Sequence, residues 1–144
     1  MKNNEGSILL ISAINKEINF LFDNFLSELE ITKTESMYLR LIHNNPGITQ
    51  YEIAKLRKIE KSLVTKYITN LEDKGLIEKK LLDKRKKGLY LIEDGKKAIK
   101  FIDEFIPDLQ EKFKDLFTDE ESKFFNTLLK KLKLRLEEVN EREA

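Results

Sequence analysis

Four consecutive cations, Lys84, Arg85, Lys86 and Lys87, stand between Asp83 and Gly88, a run whose chemistry suits contact with a polyanion. Upstream, Lys61, Ser62, Thr65, Lys66, Thr69 and Asn70 recur at helical spacing, interleaved with Val64, Ile68 and Leu71. On a helix this spacing separates an apolar face from one carrying small polar or cationic side chains. Such side chains reach base edges and phosphates without steric conflict. Each feature has a plainer reading, a solvated surface helix or a solvated lysine face. The elements that hold them decide between the two.

Charge is distributed to match. The formal net charge is +1, yet residues 55–100 hold fifteen Lys or Arg against seven Asp or Glu, so the flanks are net acidic. A basic middle between acidic ends suggests a polyanion-binding module on a scaffold that does not bind it. Catalysis finds little support. There is no cysteine, which excludes disulfides, thiol redox chemistry and cysteine-ligated zinc. The one histidine, His43, closes a helix beside Asn44 and Asn45, where a capping or solvated role is expected. Tyr38, Tyr51, Tyr67 and Tyr90 read as packing residues, and there is neither a phosphate-binding glycine loop nor a nucleophile–base pair. No enzyme activity, cofactor or metal is expected. The apolar stretch Ile8 to Ile11 is interrupted by Asn15, Lys16 and Glu17, so no signal peptide is expected. No run approaches the roughly twenty apolar residues of a membrane span. The expected location is the cytoplasm.

The elements follow from periodicity. Ile11, Ile14, Ile18, Leu21, Phe25 and Leu29 predict an amphipathic helix over residues 8–29, with a second apolar flank at Leu10, Ala13 and Phe22. Three capping boxes, Thr32–Glu35, Thr49–Glu52 and Thr118–Glu121, predict helix starts. The first helix so opened runs through Ile42 to the stop at Asn44, Asn45, Pro46 and Gly47; the second is short. A recognition-type helix spans Glu60 to Lys74, and Gly75 ends it. Leu76 to Leu81 and Leu89 to Leu91 predict a β-hairpin around the charged turn Asp83 to Gly88. A long helix from Asp94 through Leu116, kinked or broken by Pro107, and a last helix from Thr118 complete the chain.

Two short helices joined by a tight turn make a helix-turn-helix, whose second helix enters the major groove of DNA. A cationic hairpin directly after it can reach the backbone and the adjacent minor groove. All nine phenylalanines fall within residues 20–25 or 101–125, outside the basic middle. The two ends are therefore expected to share an aromatic-rich layer, too broad for one chain to cover, which argues for a dimer. The fold class is mainly α with a small β-hairpin wing. The expected organisation is a winged helix-turn-helix over residues 32–95, with a helical dimerisation region from residues 1–31 and 96–144.

The stretch Asp83 to Gly95 resembles the wing signature of the multiple antibiotic resistance regulator (MarR) family, D-x-R-x-x-x-L-x-L-T-x-x-G. It matches through Asp83, Arg85, Leu89, Leu91 and Gly95. Ser62 to Lys66, Leu71 to Ile77 and Asn45 to Thr49 resemble that family's recognition helix, its exit and the loop before the helix-turn-helix. The resemblance implies a homodimeric transcriptional regulator, a repressor, binding an inverted-repeat operator in double-stranded DNA. It implies that Arg85 enters the minor groove, with Asp83 bracing it by a charge-assisted pair, that Ser62, Thr65 and Lys66 face the major groove, and that Thr49 and Gln50, at a helix start, contact a phosphate through side chain and backbone N–H. It also implies a small aromatic ligand that releases DNA. Phe20, Phe22, Phe25, Phe101 and Phe105 are candidates to line its site, with core packing as their plainer role.

Three departures from the family pattern stand out. Ile92 replaces a capping threonine, leaving Glu93 or Asp94 to favour the helix start through its dipole. Arg57 and Lys58 replace a common leucine and glycine. Lys66 replaces an arginine and, lacking the bidentate fork, suits a phosphate better than a guanine. The alternative reading is a helical protein–protein interaction module that grips its partner with the winged surface.

Overall fold

The computed structural model describes residues 2–143, and side chains over residues 6–143. Helix α1, Lys2–Ser27, begins earlier than its apolar periodicity predicts. Its end is tight: Leu29 and Glu30 donate to the carbonyls of Leu26 and Ser27, and Glu30 takes a left-handed conformation (φ 55°).

Helix α2, Lys33–Asn44, opens on a full capping box, with Thr32 and Glu35 each accepting the other's backbone N–H. Asn45 closes it by donating backbone and side-chain N–H to the Leu41 carbonyl. Helix α3, Gln50–Arg57, has a one-sided cap. Thr49 accepts the Glu52 N–H, but the Glu52 carboxylate takes the Thr49 hydroxyl instead of the backbone N–H.

Helix α4, Lys61–Asp73, buries Val64, Ile68 and Leu71 completely. It ends in a Schellman motif: the Leu76 N–H reaches the Leu71 carbonyl, the Gly75 N–H reaches Glu72, and Gly75 supplies the positive φ of 72°.

Strands β1, Ile77–Leu81, and β2, Lys87–Leu91, pair antiparallel from Ile77 opposite Leu91 to Leu81 opposite Lys87. Lys87 and Gly88 therefore lie in the strand, and the tip is 82–86. The pairing runs on to Leu82, whose N–H reaches the Lys86 carbonyl at 2.7 Å, and β2 meets a further segment at Leu89 on its other edge. Gly47 donates to the Leu89 carbonyl and Leu89 to that of Ile48, each at 2.9 Å. Gly88 is buried against the Gly47 backbone, where a Cβ would meet the Gly47 carbonyl oxygen at 2.9 Å.

Helix α5, Glu93–Asp103, starts at Ile92 with no side-chain cap. A break follows at Glu104 and helix α6 covers Phe105–Lys112. The break precedes Pro107 because the ring of a helical proline collides with the carbonyl four residues back, here Asp103. Phe113 to Leu116, expected to be helical, form turns.

Residues 1–105 form one compact unit. Its core joins Leu26 of α1, Leu39 and Ile42 of α2, Ile53 of α3, the apolar face of α4, Leu89 of β2 and Ile99 of α5. The expected aromatic sharing between α1 and α5 is present, with Phe25 stacked on Phe101 at 4.4 Å. In the second unit, residues 106–144, helix α7 (Asp119–Glu143) opens on a full Thr118–Glu121 capping box and Phe117 contacts Phe125 at 5.6 Å.

One buried ion pair ties α2 to the end of α4. Glu35 is 2% exposed, and both its oxygens accept from Lys74 Nζ at 2.9 Å, while Lys74 also donates to the Glu30 carbonyl. Burial pushes the Glu35 carboxyl up, but bonds from Lys74 and Thr32 outweigh it and leave its pKa lowered. The stability Glu35 contributes is thus present above the ordinary carboxylate pKa and lost as pH falls through the lowered one. Lys74→Met removes the partner that offsets burial, so the Glu35 pKa should rise relative to the parent. Because the Lys74 side chain is 35% exposed, water softens the loss to about 2 kcal/mol. Urea unfolding should show the deficit of this variant relative to the parent growing as pH rises and Glu35 ionises. An unchanged midpoint at neutral pH would show that the pair contributes nothing.

Candidate nucleic-acid interface

The loop 45–49 links wing and helices. Because Gly47 and Ile48 pair with Leu89, the start of α3 is fixed directly beside the hairpin. Thr49, Gln50, Lys61, Arg85, Lys86 and Lys87 consequently line one cleft of about 450 Å³. Five cations converge there, since Lys79 of β1 joins them, against one carboxylate, that of Glu52. Lys79 was not among the expected contacts, and no local pattern marks it: the register of β1 on the wing brings it there. It also pairs with Glu72 at 3.2 Å.

Lys61, Ser62, Thr65, Lys66 and Thr69 are exposed on α4, and Asn70 is half-buried. Ser62 and Lys66 line a neighbouring hollow with Lys58, Ile59, Glu60 and Leu63. Thr65 joins the first group through a 3.0 Å bond from its hydroxyl to Gln50 Oε1. Lys84 is exposed at the tip but lies outside the cleft, as do Thr69 and Asn70.

Asp83 differs from its expected pairing. Its Oδ1 accepts the backbone N–H groups of Arg85 and Lys86, both at 3.0 Å, so the carboxylate shapes the tip backbone where a bond to the Arg85 side chain was expected. Those two bonds hold the Asp83 carboxyl below its usual pKa. An aspartate two residues before a tight bend can cap it in this way, a local bond that competes with the longer reach to a guanidinium.

The other candidates sort by burial. Phe25 of α1 stacks on Phe101 of α5, and Phe22 and Phe25 both meet Phe105, the first residue of α6, while Phe20 is 62% exposed. Tyr38 and Tyr67 stack at 5.0 Å and Tyr90 lies under Lys80, but Tyr51, expected to pack, is 66% exposed and lines the cleft. His43 is exposed in the last turn of α2. Among the described residues no group of three His, Cys, Asp or Glu could hold a metal, and no helix is long and apolar enough to cross a membrane.

The departure at Lys58 has a visible cost. Lys58 closes α3 in the left-handed conformation (φ 54°, ψ 46°), which a side chain disfavours by about 1–2 kcal/mol. Lys58→Gly is expected to raise unfolding free energy by about 0.5–1 kcal/mol, after the greater freedom of the unfolded glycine is discounted. A lower urea midpoint for this variant would contradict the assignment of strain.

A helix-turn-helix with a cationic wing fixed to its first helix defines a winged helix-turn-helix protein. Similarity to known proteins makes this specific: the MarR family model matches residues 31–87. The chain is similar to the "Uncharacterized HTH-type transcriptional regulator YybA" of Bacillus subtilis (strain 168), 27% identical over 129 residues, covering 88% of this chain and 86% of the relative. It is also similar to MepR, a transcription regulator of the Staphylococcus aureus multidrug efflux pump MepA. The two are 25% identical with a TM-score of 0.78, covering 88% of this chain and 96% of MepR. A structure of the S. aureus MepR–DNA complex matches with 25% identity and a TM-score of 0.64, covering 89% and 96%. The protein belongs to the MarR family of winged helix-turn-helix transcriptional regulators.

Proposed function

We propose that the protein acts as a homodimer on double-stranded DNA, with α4 in the major groove and the wing tip in the flanking minor groove. The observation that carries the reading is the cleft in which Lys61, Lys79, Arg85, Lys86 and Lys87 converge beside Thr49 and Gln50. Its cations come from α4, β1 and the wing, so one backbone strand lying in it would fix the helix and the wing together. The polar face of α4 continues from it through Thr65.

The dimer is supported by apolar surface left uncovered in each unit. Along α1, Ile8, Leu10, Ile14 and Leu21 are 53, 64, 52 and 41% exposed. Helix α7 buries no residue and exposes Phe124, Phe125, Leu128 and Leu136. Such faces on two helices exceed what a soluble monomer ordinarily leaves in water. The helical regions 1–31 and 96–144 therefore serve as the dimerisation part and 32–95 as the DNA-binding part.

Affinity for duplex DNA measured across salt concentrations tests this reading. DNA binding should weaken steeply as salt rises, whereas the rival, a winged surface gripping an apolar protein partner, predicts little change. Sedimentation at micromolar concentration should give a dimer; a stable monomer would contradict the assembly.

A further inference from the structure

We propose that Thr65 is a positioning residue acting through Gln50, holding the Gln50 amide so that its N–H donors face the DNA backbone; the inference rests on the DNA-binding reading above. The Thr65 hydroxyl oxygen lies 3.0 Å from Gln50 Oε1 and equally 3.0 Å from the Lys61 carbonyl oxygen. A hydroxyl has one proton, so it donates to only one of these acceptors at a time. When the proton goes to Gln50 Oε1, the amide is turned with Nε2 outward. When it goes to Lys61, only a lone pair faces Gln50, and the amide must turn Nε2 inward and Oε1 outward.

The surroundings choose between the two settings. Gln50 shares its cleft with five cations, Lys61, Lys79, Arg85, Lys86 and Lys87, against the single carboxylate of Glu52, and a cleft with that excess receives an anionic phosphate. An outward amide N–H can bond a phosphate oxygen, whereas an outward carbonyl repels it. DNA binding therefore favours the setting in which Thr65 holds Gln50 by its oxygen. The Thr65 proton is then committed within the protein and is not offered to a base edge. This gives Thr65 a role different from the direct major-groove contact that the family resemblance implies. An amide held in this way fixes register where a mobile ammonium would not.

Binding of the full chain to a selected duplex, measured for single and double variants, tests the proposal. Thr65→Val removes the hydroxyl and keeps the shape, and should weaken binding roughly 3- to 10-fold. Thr65→Ser keeps the hydroxyl and should bind like the parent. Gln50→Ala should lose a similar factor, and adding Thr65→Val to it should cost nothing more. Gln50→Glu keeps an acceptor for Thr65 but sets a negative charge where the donors stood, and should bind more weakly than Gln50→Ala. Neither neutral change should alter the salt slope, whereas Lys61→Ala should reduce it by about one. Circular dichroism confirms that each variant is folded. Losses that add in the double variant, or a Thr65→Ser loss equal to that of Thr65→Val, would overturn the proposal while leaving DNA binding intact. A parent chain that binds no duplex would contradict the DNA-binding reading itself, and this inference with it.

Discussion

Replacing Arg85 with alanine is expected to weaken operator binding by about 1–3 kcal/mol for each wing, the largest functional loss from any single side chain in the interface. Arg85 lies in the tip whose backbone is set by Asp83, and it lines the cleft with Lys86 and Lys87. It is the one arginine among lysines there. A narrow A·T-rich minor groove concentrates negative potential, and the weakly hydrated guanidinium enters it more readily than an ammonium. Part of the loss should therefore depend on the base pairs flanking each half-site. Lys66→Ala should instead weaken all duplexes nearly equally and flatten the salt dependence by about one unit per contact removed. Both residues are exposed, so the fold should survive either change. Titrations on operators with A·T-rich and G·C-rich flanks separate the two roles. Parental affinity of Arg85→Ala on both operators would remove the wing from the account.

The largest loss of stability is expected from Gly95→Ala, about 3 kcal/mol or more. Gly95 is buried in the first turn of α5, and a Cβ there would lie 2.1 Å from the Leu76 carbonyl oxygen and 3.1 Å from Leu91 Cγ. The carbonyl cannot step aside, because it accepts the Ile92 N–H at 3.1 Å where β2 passes into α5. The close approach holds the foot of the wing against the helix that follows it, so the added methyl must push α5 away. Gly75 provides the contrast. It has φ 72° but open space at its Cβ position, and Gly75→Ala should cost only the left-handed penalty of about 1–2 kcal/mol. Urea midpoints of the two variants make the comparison. A Gly95→Ala protein as stable as Gly75→Ala would mean that the contact relaxes freely.

Features set by near neighbours along the chain are legible from residue types and spacing alone. The capping boxes at Thr32 and Thr118 form as their spacing predicts, and α4 runs from Lys61 to Asp73 between the expected limits. The mainly helical winged fold and the family both follow from such local signals. Boundaries decided by distant partners are not legible in this way. The wing tip is shorter than the charged run suggests because β1 pairs on through Lys80 opposite Gly88 and Leu81 opposite Lys87, with the Leu82 N–H reaching the Lys86 carbonyl. The helix after the wing divides at Glu104, since Pro107 acts on the carbonyl behind it. Within the interface, residue types announce the cations of the tip and α4. The Thr65–Gln50 bond joins residues of two different helices, and Lys79 reaches the cleft only through the register of β1. Neither relation leaves a periodic trace.

Selection of bound sequences from a random duplex library, using the full chain, tests the central claim most directly. Two α4 helices related by a two-fold axis should meet successive major grooves on one side of the duplex. The account predicts enrichment of inverted repeats whose half-site centres lie about 10 base pairs apart, or a small multiple of that. Enrichment of direct repeats or single half-sites, or no enrichment at low salt, would contradict it.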